Sequence, residues 1–277
     1  MNQVTLSIAM SVYDGVNSVQ LKRAVESILN QTYGNFEFII YSDGVSKLDL
    51  LDYFEEISDE RVRVVYSDIN NGLAFGLNNI IKTFSGDIFV RMDADDISLP
   101  NRLQEIVNYS LANPKVDIFG SAMYQLDTGL GSLDACLSRC CDAEIIRYPT
   151  KHSDIKKMFL YRNSVSHPTV AIRRDVFNEG IYYPLFSLRN EDTLLWLSFF
   201  KRDRVFGNIS KPLYVFDFSE DTSLRRTDVK KAYSDMLDRF RVIFDLGGGI
   251  RHCALAMLCF VVTITPFYNW VRNAVIK

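Results

Sequence analysis

Residues 88–103 read IFVRMDADDISLPNRL: an apolar run, three aspartates within four positions, then Pro100 at the head of a helical pattern. The run is strand-sized. Proline is favoured in a first helical turn, where the missing N–H costs nothing, so Pro100 sets the start of a helix over 102–112 that Asn113-Pro114 ends. Strand, acidic turn and helix thus follow one another, and the same alternation extends upstream. Residues 6–12 read as a strand, and Leu21, Ala24, Val25, Ile28 and Leu29 recur at helical spacing. Then come a strand at 36–41, a helix at 48–57, a strand at 62–66 and a helix carrying Leu73, Leu77, Ile80, Ile81 and Phe84. This alternation predicts an α/β fold whose central sheet is mostly parallel and flanked by helices.

Downstream the pattern continues with a strand at 118–122. It then weakens from 126 to 166, a stretch read as an irregular excursion over the binding face. A strand at 169–172, a helix at 192–201, a strand at 213–216 and a charged amphipathic helix near 229–244 follow. Gly247 to Gly249 break that helix and open a C-terminal helical tail.

Composition narrows the class. Among 277 residues 48% are hydrophobic and 23% charged, which excludes extended disorder, and the net charge of −3 gives no global attraction to nucleic acid. Five cysteines, at 136, 140, 141, 253 and 259, show no repeated C-x-x-C spacing and no nearby His pair, which predicts free thiols in a reducing compartment. Residues 1–5 lack the basic start of a signal peptide, so a cytoplasmic location is expected. The tail from 253 to 271 is apolar but broken by threonines, Pro266 and Asn269, against the ~20 apolar residues that a spanning helix needs. With Arg251, Arg272 and Lys277 at its flanks, it reads either as a helix lying on an anionic membrane surface or as a buried core or interface helix.

The chemistry concentrates in carboxylates. Asp93, Asp95 and Asp96 repel one another at the end of a strand, where open parallel sheets place ligands, and a hard cation such as Mg²⁺ or Mn²⁺ relieves that repulsion. The alternative is a solvated turn in which Asp96 or Ser98 caps the next helix. Glu191-Asp192 opens an apolar helix containing Trp196; it reads as a general base or as a cap gaining from the helix dipole. Asp43-Gly44 and Asn71-Gly72 end strands as turns with exposed ligand-facing groups. His167 has a supporting role, and Arg225-Arg226 is a candidate for a diphosphate. No G-x-G-x-x-G follows the first strand, and no P-loop or G-x-S-x-G elbow occurs.

Taken in order, these segments resemble the family 2 glycosyltransferases, nucleotide-sugar-dependent enzymes with the Rossmann-like GT-A fold. The resemblance rests on SIAMSVYD at 7–14, on Glu26-Ser27-Ile28 with Gln31-Thr32-Tyr33, and on EFIIYSDG at 37–44. It continues through Asn71-Gly72-Leu73-Ala74 and RMDADDISLPNRL at 91–103, close to the bacterial polysaccharide enzymes, and through His167-Pro168-Thr169 and 191–196. It covers roughly residues 5–218. It implies a nucleotide-sugar-binding half at 1–122, an acceptor-side half at 123–218 and a possible membrane-associated tail at 219–277. By the same resemblance Tyr13, Asp14, Asp43, Asn71, Arg91, Asp93 and Ala94 line the nucleotide-sugar, and Asp95 binds Mn²⁺ or Mg²⁺. Asp192 is the base of an inverting transfer, with Glu191 beside it. His167, Trp196, Arg225 and Arg226 lie toward acceptor or diphosphate. The implied partners are a UDP-sugar and an undecaprenyl-diphosphate-linked saccharide of O-antigen, lipopolysaccharide or capsule, met at the cytoplasmic face of the inner membrane. Ser42 departs from the family's usual Asp before Asp43, which loosens the donor assignment. A metal-dependent nucleotidyltransferase or hydrolase, or a non-catalytic sugar-nucleotide-binding subunit, is the alternative.

Overall fold

Alternate burial along the strands builds the centre of the molecule, seen in a computed structural model that describes residues 3–129, 131–187, 190–218 and 229–265. In β1 (Leu6–Val12), Leu6, Ile8, Met10 and Val12 enter one core while Ala9 enters the other. β2 (Phe36–Asp43) repeats this, with Phe38 and Ile40 on one side and Ile39 and Tyr41 on the other. Side chains in a strand point alternately to opposite faces, so a sheet covered on both sides reads as a nearly continuous apolar run.

The first core is closed by α1 (Ser18–Leu29), α2 (Leu48–Glu56) and α4 (Arg102–Ala112); the second receives α3 (Leu73–Ile81), α6 (His152–Phe159) and α7 (Glu191–Phe200). The start of α1 is fixed by Asn17, whose side-chain oxygen accepts from the Val19 N–H at 2.9 Å. β1 lies parallel to β2 and to β4 (Ile88–Arg91), with Leu6 opposite both Phe36 and Ile88, and β2 is parallel to β3 (Val62–Ser67). The amino-terminal half is therefore parallel, as its alternation predicts.

Beyond β4 the sheet is mixed. β8 (Ala171–Arg173) lies antiparallel between β4 and β6 (Ile118–Leu126), and β9 (Phe206–Asp217) runs parallel to β6. The β6–β9 register shifts where Ala122 meets Pro212, a residue with no N–H for the ladder. β9 then pairs antiparallel with β5 (Ile97–Ser98), giving the order β3-β2-β1-β4-β8-β6-β9-β5 with β7 (Glu144–Ile146) on β6. One sheet spans both halves, and β6 runs through residue 122.

The stretch at 126–166 contains α5 (Leu133–Ser138), β7 and α6, so it holds more regular structure than its weak periodicity suggests. The expected strand at 169 begins at Ala171, because His167–Thr169 winds into a 3-10 turn with Pro168 near its start. In α7 Thr193 to Leu197, Phe199 and Phe200 are all buried; a helix apolar on every side is packed on every side. That packing anchors the helix whose first turn carries Glu191 and Asp192.

The tail forms α8 (Val229–Asp245) and α9 (Ile250–Ile264), separated at Gly247, whose φ of 73° lies in the left-handed region. None of the residues of α9 is buried, so within this chain α9 is not a core helix. Among the described residues no helix is long and apolar enough to cross a membrane.

Candidate active site

Parallel strands end on a common edge, and β1, β2, β3 and β4 bring Tyr13-Asp14, Asp43, Asn71 and the 91–96 segment to it. Carboxylate oxygens of Asp93, Asp95 and Asp96 lie within 4.8 Å of one another. Asp93 pairs with Arg91 at 2.5 Å, and its N–H donates to the Tyr214 hydroxyl at 3.0 Å. Asp96 is buried and accepts from the Asp217 N–H at 2.8 Å. Asp95 is the exposed member of the three; partial desolvation beside its neighbours, and then the charge of Asp93, push its carboxyl up to about 6. Burial and the charges of Asp95 and Asp93 hold Asp96 well above the usual carboxylate range. Arg91 offsets one of the three charges, and the hard oxygen donors at this spacing fit a divalent cation for the rest. Ala94, between them, is buried.

Arg91 joins this cluster to α7. It is 2% exposed; burial pulls its guanidinium down, but the Asp93 charge and hydrogen bond outweigh that and hold it above the ordinary arginine value. Its positive field also lowers Asp192 and His167. Beneath it, buried Arg102 donates to the Arg91 carbonyl at 2.7 Å and sits 4.8 Å over the Tyr214 ring. Burial lowers Arg102 to about 10.

Asp192 is held from both oxygens. Oδ2 accepts from Asn163 at 2.8 Å and Oδ1 from the Thr193 N–H at 2.6 Å. Burial, then the neighbouring charge of Glu191, push its carboxyl up to about 6. A carboxylate with this ionisation acting as a base would make kcat/KM fall about tenfold per pH unit below about 6 and level off above it. Initial rates across pH at saturating Mn²⁺ test this; a profile flat down to pH 4 removes Asp192 from the proton transfer.

The other expected site residues divide. Tyr13 is 41% exposed at the edge. Asp14 spends its oxygens on Ser46 and on the Ser46 and Lys47 N–H groups at 2.6–3.1 Å, latching the β1 edge to the start of α2. Those hydrogen bonds hold its carboxyl below the usual range. Asp43 accepts from the Asn71 and Gly72 N–H groups at 2.8 Å each, fixing the turn that presents Asn71. Gly44 is required beside it: φ is 64°, and a Cβ there would stand 2.3 Å from the Asn70 nitrogen. Asp43→Ala is expected to lose about 1.5–3 kcal/mol, the worth of hydrogen bonds to a charged group, read as a lower urea midpoint.

Trp196 is 1% exposed, within the second core. His167 sits 2.9 Å from the Tyr183 hydroxyl, and burial followed by the Arg91 charge keeps its imidazole well below its ordinary value, hence neutral. Arg225 and Arg226 lie outside the described residues. Tyr214, Asp217, Asn163 and Tyr183 join the site through contacts with residues distant in the chain, and no local pattern in the sequence marks them.

A mixed sheet whose parallel half ends in an acidic cluster, with a helix that opens on a half-buried carboxylate, is the arrangement of the GT-A class of glycosyltransferases. The chain belongs to the glycosyl transferase family 2, whose model matches residues 7–180. The O-antigen biosynthesis glycosyltransferase WbnJ of Escherichia coli is 31% identical over 198 residues, covering 69% of this chain and 70% of that protein. An E. coli UDP-Gal:alpha-D-GlcNAc-diphosphoundecaprenol beta-1,3-galactosyltransferase is 27% identical over 234 residues, or 83% of this chain and 80% of its own. An uncharacterized glycosyltransferase of Haemophilus influenzae is 32% identical over 177 residues, 63% of this chain but only 53% of that longer protein. Among solved structures, S. aureus TarS 1-349 in complex with UDP-GlcNAc superposes with a TM-score of 0.61 at 14% identity, covering 94% of this chain and 82% of that one.

Proposed function

We propose that this glycosyltransferase moves one sugar, with inversion, from a UDP-sugar to a hydroxyl of a lipid-linked glycan during assembly of a bacterial surface polysaccharide. The observation that carries this reading is the Asp93–Asp95–Asp96 cluster at the end of β4, with buried Arg91 paired to Asp93 and its charge also reaching Asp192. Asp192 takes the proton from the acceptor hydroxyl as its oxygen bonds to the anomeric carbon and the bond to the nucleoside diphosphate breaks. Glu191 orients the acceptor. Tyr13 and the turns latched by Asp14 and Asp43 face the nucleotide, and Arg91 fixes Asp93 against the donor sugar.

Asp95, helped by Asp93, would hold Mn²⁺ or Mg²⁺; the bound ion supplies positive charge for the leaving diphosphate. Three carboxylates this close, with Asp95 already raised toward neutrality, suit that occupant. In this reading residues 1–122 hold the donor, 123–218 the acceptor, and the tail docks on the cytoplasmic face of the inner membrane. Support for the lipid-linked acceptor and its membrane comes from the galactosyltransferase relative named for a diphosphoundecaprenol acceptor, and from the apolar side chains of α9 that reach solvent. Calorimetric titration with UDP, GDP and dTDP, each with and without Mn²⁺, tests the core of the proposal. UDP is expected to bind tightly only with the metal; failure of all three to bind under either condition overturns it.

A further inference from the structure

A cavity of about 260 Å³ lies between the first turn of α7, the end of α6 and the helix pair α8–α9. We infer that it receives the neutral sugar ring of the acceptor; this inference rests on the transferase reading above. The cavity adjoins the base. Asn190 and Thr193 flank Asp192 on α7 and line its wall, and Thr193 Oγ1 donates to Asn163, the residue that holds Asp192. Arg239 lines the opposite wall, and Asp192 is the first of the charges that hold its guanidinium up against the lowering effect of burial.

The lining has the chemistry of a pyranose, whose rim carries hydroxyls and whose faces are C–H. Asn190 donates to Asp235 and Asp238 at 2.8 and 3.3 Å and Arg239 to the Phe159 carbonyl at 2.5 Å, which fixes on the lining a carboxamide oxygen and further guanidinium N–H groups able to meet adjacent hydroxyls. Tyr161 and His252, with ring centroids 4.6 Å apart, and Phe260 supply flat apolar surface. Asp235 and Arg239 on the lining offset one another, so the cavity carries no surplus positive charge for a diphosphate and suits an uncharged ring. The volume lies just below the ~300–1,000 Å³ of pockets for drug-sized ligands, which suits a single sugar unit.

The geometry also divides the labour of α9. His252, Ala256, Cys259, Phe260 and Thr263 recur at helical spacing along the cavity, while Met257, Leu258, Val261 and Ile264 reach solvent. One face thus holds the sugar and the other is left for the lipid surface from which it hangs.

Cys259 is an exposed free thiol on the cavity wall, and Cys141 is an exposed thiol elsewhere. We would measure maleimide alkylation of both by peptide mass spectrometry, with UDP and Mn²⁺ saturating, against N-acetylglucosamine, galactose, glucose and inorganic diphosphate. At least one neutral sugar is expected to slow Cys259 threefold or more, saturably, with Cys141 unchanged and diphosphate inert. Ala256→Leu, which narrows the cavity, is expected to abolish this protection while binding UDP as the parent does. Absence of protection by every sugar, protection that persists in Ala256→Leu, or protection by diphosphate alone overturns the inference. Nucleotide binding, read by calorimetry on the same samples, separates this failure from failure of the transferase reading itself.

Discussion

Asp192→Asn lowers the rate of sugar transfer by about 10²–10⁴-fold, the usual contribution of a positioned acid or base, while UDP affinity stays within twofold of the parent. Asparagine keeps the shape of the side chain and can still accept from the Thr193 N–H. The parent carboxyl already resists ionisation, being pushed up to about 6 by burial and Glu191, so a neutral replacement does not threaten the fold. What disappears is the carboxylate proposed to take the proton. The residual activity should therefore also lose the pH dependence near 6. Steady-state rates and calorimetry on one preparation check both halves; turnover equal to the parent's would assign the proton to another group.

Asp95→Ala weakens metal-dependent UDP binding by at least 10–100-fold, the scale seen when even the supporting groups of a metal site are lost. Without metal the variant should melt no lower than the parent, because the substitution removes a carboxyl that partial desolvation and Asp93 hold away from its preferred ionised state. This pairing of outcomes distinguishes a ligand from a scaffold residue. Asp96, by contrast, accepts the Asp217 N–H and ties β5 to β9, so its loss would damage the frame. Thermal melts and calorimetry with and without Mn²⁺ read both effects, and identical metal response in parent and variant would remove Asp95 from the site.

The parallel half was legible because its strands and helices are long enough for their periods to show, from the Leu6 strand to the Arg102 helix. The second half was less so, since β5 is two residues and β8 three, too short for any period. β9 contains Gly207, Lys211 and Pro212, which interrupt the pattern of a strand that in fact runs for twelve residues. In the site, Asp93, Asp95 and Asp192 stood out as charges set against apolar runs. Sequence alone shows a carboxylate at a strand end but not what its oxygens touch. Asp14 and Asp43 read as ligand groups, and the structure adds what the sequence does not show, that their oxygens also latch the turns at Ser46 and Asn71. Arg102 and Tyr214 stack beneath Arg91 from separate parts of the chain.

The acidic turn is completed from far along the polypeptide: Tyr214 receives the Asp93 N–H, Asp217 donates to Asp96, and each pair is 121 residues apart. A chain emerging from the ribosome with only its first 205 residues free would carry every carboxylate of the cluster without the strand that spaces them. Such a chain would already hold α7 and its carboxylate, so the shape of the acidic turn is the last part of the site to be set, and it waits on β9.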